Sequence, residues 1–213
     1  MATYDSADLL SRFNALAARP TADEVTDPDK YSLLATAQLK VIEEIAARYP
    51  DCLYSAPATL STSDGNVYTF GNDGSGNAVA PMGHVGIYSS LNSIPDNPWV
   101  KDIDYLDEGT QIRLPNNRTF GGTLYWRGIA TPTDISASQA PSLRPANSRV
   151  LIVYKAVMEF GLRGGLRPEI TTAAQALWSA EFPVHMLNWK TRFRRGGALL
   201  LFTDYDLGRL NAS

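Results

Sequence analysis

A chain of 213 residues, 44% hydrophobic and 19% charged, is long enough to bury a core as one globular domain, and its formal net charge of −3 offers no broad basic surface to grip a phosphate backbone. The single cysteine, Cys52, rules out an internal disulfide and a cysteine-built zinc site. The opening MATYDSADLL lacks the basic-then-apolar pattern of a secretory signal, and no apolar run reaches bilayer-spanning length, so the expectation is a soluble protein made in a reducing cytoplasm.

Asp5 or Ser6 can cap a first helix, because their side-chain oxygens accept otherwise unpaired backbone N–H groups; Leu9, Phe13 and Leu16 follow at helical spacing. Asp27 followed by Pro28 starts a second helix, since proline at the first helical position forfeits no hydrogen bond. Its apolar stripe is Leu34, Ala37, Val41 and Ile45, with Lys40, Glu43 and Glu44 opposite, and Pro50 ends it.

From Cys52 to Pro145 glycine, serine, asparagine, threonine and proline become frequent, and β-branched and aromatic residues alternate with polar ones. NVYTFG sets Val67 and Thr69 against Tyr68 and Phe70 and leads into NDGSGN, with HVGIYSS as a candidate partner strand. The stretch DYLDEGTQIRLPNNRTFGGTLYWRG reads as a second hairpin. Ile112 and Leu114 share a face of its first strand, and Tyr125, Trp126 and Arg127 sit midway along its second; Asn116, Asn117, Gly121 and Gly122 tolerate the backbone angles of the reversal.

After Pro145, VLIVYKAVMEF with Gly161, Gly164 and Gly165 behind it reads as a helix with a glycine stop, a strand over residues 151–154 being the alternative. A last helical region spans Pro168 to Arg195, with Ile170, Ala173, Leu177, Met186 and Trp189 as core contacts, and Pro183 must kink or restart it. The expected fold class is α+β: a helical bundle of about four helices interrupted by a β-rich insertion, with an extended C-terminal arm. As one domain over 1–213, it divides into a helical part (1–50), the insertion (51–145), a second helical part (146–195) and the arm (196–213).

Little in the sequence promises chemistry. It contains no GxSxG elbow, no GxxxxGK[ST] phosphate loop and no HExxH pair. His84 and His185 fall in different regions and read as structural or surface residues. Cys52 reads as a small buried thiol. Asp73, Ser75 and Asn77 alternate as calcium ligands would, but His84 stands where an acidic closing ligand is needed, so a hairpin tip is the better reading. Asp102, Asp104, Asp107 and Glu108 read as a solvated strand edge that deters edge-to-edge pairing. The basic-aromatic run NWKTRFRR, with Lys190, Arg192, Arg194 and Arg195, complements the dipole of a helix end, or else meets DNA or an acidic partner.

Taken together, DKYSLLATAQLKVIEEIAARYP, VYTFGNDGSGNAVAPMGHVGIYSSL, DYLDEGTQIRLPNNRTFGGTLYWRGIATPTDISASQAPSL and SRVLIVYKAVMEF resemble the head-to-tail adaptor (connector) proteins of long-tailed bacteriophages. The resemblance covers most of the chain and carries no catalytic signature. It implies a structural protein of the virion neck, assembled in the host cytoplasm, that forms a ring of twelve copies beneath the portal protein. Such a ring joins head to tail, meets a tail-side neck or tail-terminator protein, and lets genomic DNA pass without sequence-specific binding. No enzyme activity, cofactor, metal or membrane is implied.

A ring repeats one heterologous contact, so each subunit needs two different adhesive faces. Arg113, Tyr125, Trp126 and Arg127 are the expected subunit interface, of the residue types that dominate interfaces. Leu199, Leu200, Leu201, Phe202, Tyr205 and Leu207 are the expected contact with portal or neighbour, the alternative being an arm folded back over its own helices. Another neck or tail protein, of the tail-completion or tail-terminator kind, is the nearest rival function. A hydrolase using Asp104, Glu108 and His84 is a more distant one.

Overall fold

In a computed structural model, which describes residues 4–18, 25–53, 58–70, 81–90, 103–109, 111–115, 120–143, 146–163 and 166–196, the chain combines four helices with a curled antiparallel sheet. Helix α1 (Ser6–Leu16) starts where the Asp5 carboxylate accepts the backbone N–H of Asp8 at 2.9 Å. Helix α2 (Asp27–Ala46) starts at Thr26, with Pro28 in its first turn. Both bury the stripes their spacing implies, Leu9 and Phe13 on α1 and Leu34, Ala37, Val41 and Ile45 on α2. A 3-10 turn, Pro50–Leu53, follows α2.

Helix α3 (Val150–Leu162) is the hub of the helical core. Leu151, Ile152, Val153, Ala156 and Val157 are all buried, so the β-favouring run resolves as helix. Of the expected glycine stop, Gly164 and Gly165 lie outside the described residues, and the helix ends at Leu162, with Gly161 inside its last turn. Bulk is excluded there: a Cβ on Gly161 would collide with Thr171 Oγ1 of the next helix, α4 (Pro168–Gly196). Across α2 and α3, Lys40 pairs with Glu159 at 2.7 Å, and Lys155 hydrogen-bonds Glu44.

Pro183 lies inside α4, which continues past it without a restart. The inward stripe of α4 differs from the expected one. Ile170, Ala174, Trp178, Phe182 and Met186, four residues apart, pack into the core, with Trp178 and Phe182 stacked at 4.8 Å. Ala173 and Leu177 instead face outward, Leu177 being 37% exposed. The side chain of Trp189 lies outside the described ones.

The six strands are β1 (Ala58–Asp64), β2 (Val67–Phe70), β3 (Pro81–Tyr88), β4 (Leu106–Asp107), β5 (Gln111–Arg113) and β6 (Tyr125–Ala130), in the sheet order β3-β6-β1-β2-β5-β4. That order overturns both expected hairpins. β2 pairs with β1 and β5 rather than β3, and β6 pairs with β3 and β1 rather than β5. A tight hairpin joins β1 to β2 through Gly65 and Asn66, Gly65 taking the left-handed φ of 51° that glycine tolerates, and a three-residue connection joins β4 to β5. Its Asp-Gly signal at Asp64 and Gly65 marks a turn, and β1 is the strand the sequence reading lacks.

The backbone N–H of Ile103 reaches the carbonyl of Ile87 at 3.2 Å, so the chain entering β4 returns to β3 and the sheet curls round. Inside the curl lie Leu60, Tyr68, Ile87, Ile112, Leu114, Leu124 and Trp126, a second core distinct from the helical one. The extended segment after β6 is fixed to α2 by Gln38, which is 1% exposed. Its amide donates to the Thr133 carbonyl at 2.8 Å and accepts the Ser142 and Leu143 N–H groups at 2.9 and 3.3 Å.

Candidate functional site

The expected subunit-interface residues do not form one patch. Trp126 and Tyr125 take opposite sides of β6, as strand alternation requires, but the side chosen for Trp126 is the sheet core. It is fully buried there, against the edge of Phe70 at 5.1 Å, so it cannot meet a neighbour. Its indole N–H has no hydrogen-bond partner among the described residues. Tyr125 and Arg127 are half-buried on the same strand. Arg113 lies three strands away on β5, where its Nε donates to Glu108 at 2.7 Å and its second nitrogen to the other carboxylate oxygen at 3.4 Å.

That pairing also bears on the acid–base reading of the acidic stretch. Hydrogen bonds from Arg113 and then Gln111 hold the Glu108 carboxyl below its ordinary range, favouring the ionised form. A carboxylate so committed is a weak base and no acid at neutral pH. Leu106 is 56% exposed on β4, which ends the sheet order, and Asp104 before it is exposed, in keeping with a solvated edge. The side chain of His84, on β3, lies outside the described ones, as does that of Cys52. The calcium-loop candidates Asp73, Ser75 and Asn77 lie outside the described residues, and Asp102 does too.

A different set of polar groups does converge. Tyr154 on α3 donates to Glu181 on α4 at 2.9 Å. The other Glu181 oxygen lies 3.8 Å from His185 Nε2, and His185 Nδ1 shares a 3.1 Å hydrogen bond with Ser148 Oγ. Ser148 belongs to a 3-10 turn, Ala146–Arg149, that leads into α3. Serine, histidine and carboxylate thus stand in the order of a nucleophile, base and orienting acid. The line is assembled from distant positions; only the Glu181–His185 spacing, one helical turn, was available to sequence inspection.

Two observations argue against turnover at this line. Ser148 is fully buried, so no substrate can approach its oxygen, and the imidazole is presented to the serine through Nδ1 with the carboxylate 3.8 Å from Nε2, beyond hydrogen-bond reach. Burial lowers the His185 pKa from 6.5, outweighing Glu181, while burial and then Glu181 raise that of Tyr154. A neutral histidine and a protonated tyrosine suit a polar strut that ties the 3-10 turn, α3 and α4 together.

Elsewhere, a shallow depression between α1 and α2 is lined by Ala7, Leu10, Ser11, Asn14, Ala15, Lys30 and Tyr31, and its one cation, Lys30, is paired with Asp27 at 3.0 Å. Among the described residues no cluster of histidine, cysteine and carboxylate could hold a metal ion, and no helix is long and apolar enough to cross a membrane. The backbone of α4 carries Lys190, Arg192, Arg194 and Arg195, whose side chains lie outside the described ones. Leu199, Leu200, Leu201, Phe202, Tyr205 and Leu207 lie outside the described residues.

One further surface was not foreseen. Ala173, Leu177, Ala180, Val184 and Leu187 are all exposed on α4, Leu177, Val184 and Leu187 by 37%, 56% and 64%. Their alternating spacing of four and three residues puts them on one face, roughly 140° round the helix from the buried stripe at ~3.6 residues per turn. No protein-family model matches this chain, and no curated protein matches it significantly in sequence.

Proposed function

We propose that this chain is a structural subunit of a bacteriophage neck, a head-to-tail adaptor that rings the DNA exit channel beneath the portal and binds neighbouring subunits, portal and tail-side protein through apolar and aromatic surface. The observation that carries the reading is the second apolar stripe on α4. The helix already fills its place in the core with one stripe, yet it keeps Leu177, Val184 and Leu187 exposed on another. A contiguous exposed apolar face of this kind marks a surface that meets a partner. The resemblance of the four quoted segments to adaptor proteins supplies the kind of partner, and the commitment of Glu108 to Arg113 and Gln111 weighs against the hydrolase alternative that would use it.

In this role Tyr125, Arg127 and the Arg113–Glu108 pair contribute polar and aromatic rim contacts. The C-terminal residues Leu199 to Leu207 reach portal or neighbour. Lys190, Arg192, Arg194 and Arg195 serve the channel or an acidic partner. The test is native mass measurement and electron microscopy of the purified chain with purified portal rings. Portal-bound rings are expected, and Leu177→Glu together with Val184→Glu should abolish them while leaving the circular dichroism of the subunit unchanged. A chain that stays monomeric and ignores the portal at micromolar concentration overturns the proposal. Ring formation at the tail end alone would assign it to tail completion.

A further inference from the structure

The exposed face of α4 lacks the charges that a solvated helix face carries. From Thr172 to Asn188 no exposed residue is charged, while Leu177, Val184 and Leu187 stand clear of the core. Depletion of charge around exposed apolar side chains is the composition found at the middle of an interface. Pro183 adds a polar requirement to the same helix. It has no N–H to give the Ser179 carbonyl four residues back, so that acceptor, next to Ala180 midway along the stripe, lacks its helical donor. A partner here has to be uncharged, partly apolar and able to donate a hydrogen bond.

The depression between α1 and α2 has that chemistry. Ala7, Ser11 and Ala15, each exposed and four residues apart on α1, keep it shallow, and half-buried Leu10 and Tyr31 add to its apolar lining. Its one cation, Lys30, is buried and paired with Asp27. The Ser11 hydroxyl, midway between Ala7 and Ala15, is a donor. The lengths agree: Ala7 to Ala15 spans about 12 Å and Leu177 to Leu187 about 15 Å at ~1.5 Å per residue.

We infer that α4 of one copy packs into the α1–α2 depression of the next copy, with Leu177 and Val184 over Leu10 and Tyr31 and the Ser11 hydroxyl donating to the Ser179 carbonyl. Two α4 helices paired about Ala180 are the poorer arrangement, because one carbonyl without a donor then faces another. Helix and depression are different surfaces of one subunit, so the contact is heterologous and repeats by rotation. Closure into a ring rests on the adaptor reading, to which this contact supplies the two adhesive faces.

The experiment mixes two full chains that each carry Cys52→Ala and one new cysteine, Ala15→Cys in the depression or Ala180→Cys on α4, and treats them with a short bis-maleimide at high micromolar concentration. Because Ala180 is central, the thiols lie close whichever way the helices run. The mixed dimer is expected roughly tenfold faster than one between Ala180→Cys and Ser61→Cys chains, Ser61 being an exposed site on β1, and Leu177→Glu should bring it down to that control rate. Ala180→Cys chains linking to one another as fast would show that α4 meets its own copy, and equal rates for all pairs would show no defined contact; either result overturns the inference. Portal-bound rings that lack the cross-link also overturn it while leaving the adaptor reading intact, whereas the cross-link in a chain that ignores the portal does the reverse.

Discussion

His185 shows how a residue can look catalytic and act structurally. It faces Ser148 on one side and Glu181 on the other, and Tyr154 holds that carboxylate from α3. The folded protein disfavours the imidazolium because burial lowers the pKa from 6.5, so the unfolded chain takes up a proton the native state resists. Stability from this group is therefore present above pH 6.5 and falls as the pH drops through the lowered native value. Urea midpoints measured from pH 8 to 5 should decline in that window, and His185→Gln should remove that part of the decline. An unchanged profile in the variant would place the acid sensitivity elsewhere. Neither Ser148 nor Tyr154 was legible as a partner, since their meeting depends on how α3 and α4 cross.

Helix α4 carries two apolar stripes, and hydrophobic period alone could not choose between them. Ile170 and Met186 were rightly placed inward, but Ala173 and Leu177 belong to the outer stripe, and Ala174, Trp178 and Phe182 complete the inner one. The choice falls to bulk. Trp178 and Phe182 stack on each other, and the cations of Lys155 and Arg48 sit over their rings at 5.2 and 5.3 Å. Phe182→Ala should thus destabilise the protein by about 3–5 kcal/mol in chemical denaturation. Leu162→Ala, 78% exposed at the end of α3, should stay within about 0.5 kcal/mol. Equal costs would mean that the buried stripe does not hold α4 in place.

At the scale of the whole molecule, the helices and the curled sheet have separate cores of unequal size. The helical cluster gathers side chains from all four helices and takes in Ile129 of β6, whereas the sheet core rests on seven residues held by strands two to eight residues long. Local opening follows the smaller core. Native-state hydrogen exchange should therefore find amides of β4 and β5 less protected than those of Leu151 to Val157 in α3. Equal protection throughout would indicate one cooperative unit, with Gln38 and the segment it anchors joining the halves firmly.

The sequence by itself determined the local features: a cap at Asp5 or Ser6, the Asp27-Pro28 start and the stripes of α1 and α2, because caps and periodicity act within a few residues, whereas for α3 it favoured a helix but left a strand open. It also determined that β6 alternates between Tyr125 and Trp126. Only the tertiary structure decided which strands pair, since β-ladders join residues far apart and adjacent strands in sequence need not be neighbours in space. The same holds for which α4 stripe is buried and for the line from Tyr154 to Ser148. Each is settled by competition among surfaces for one core, a contest that no short window of sequence contains.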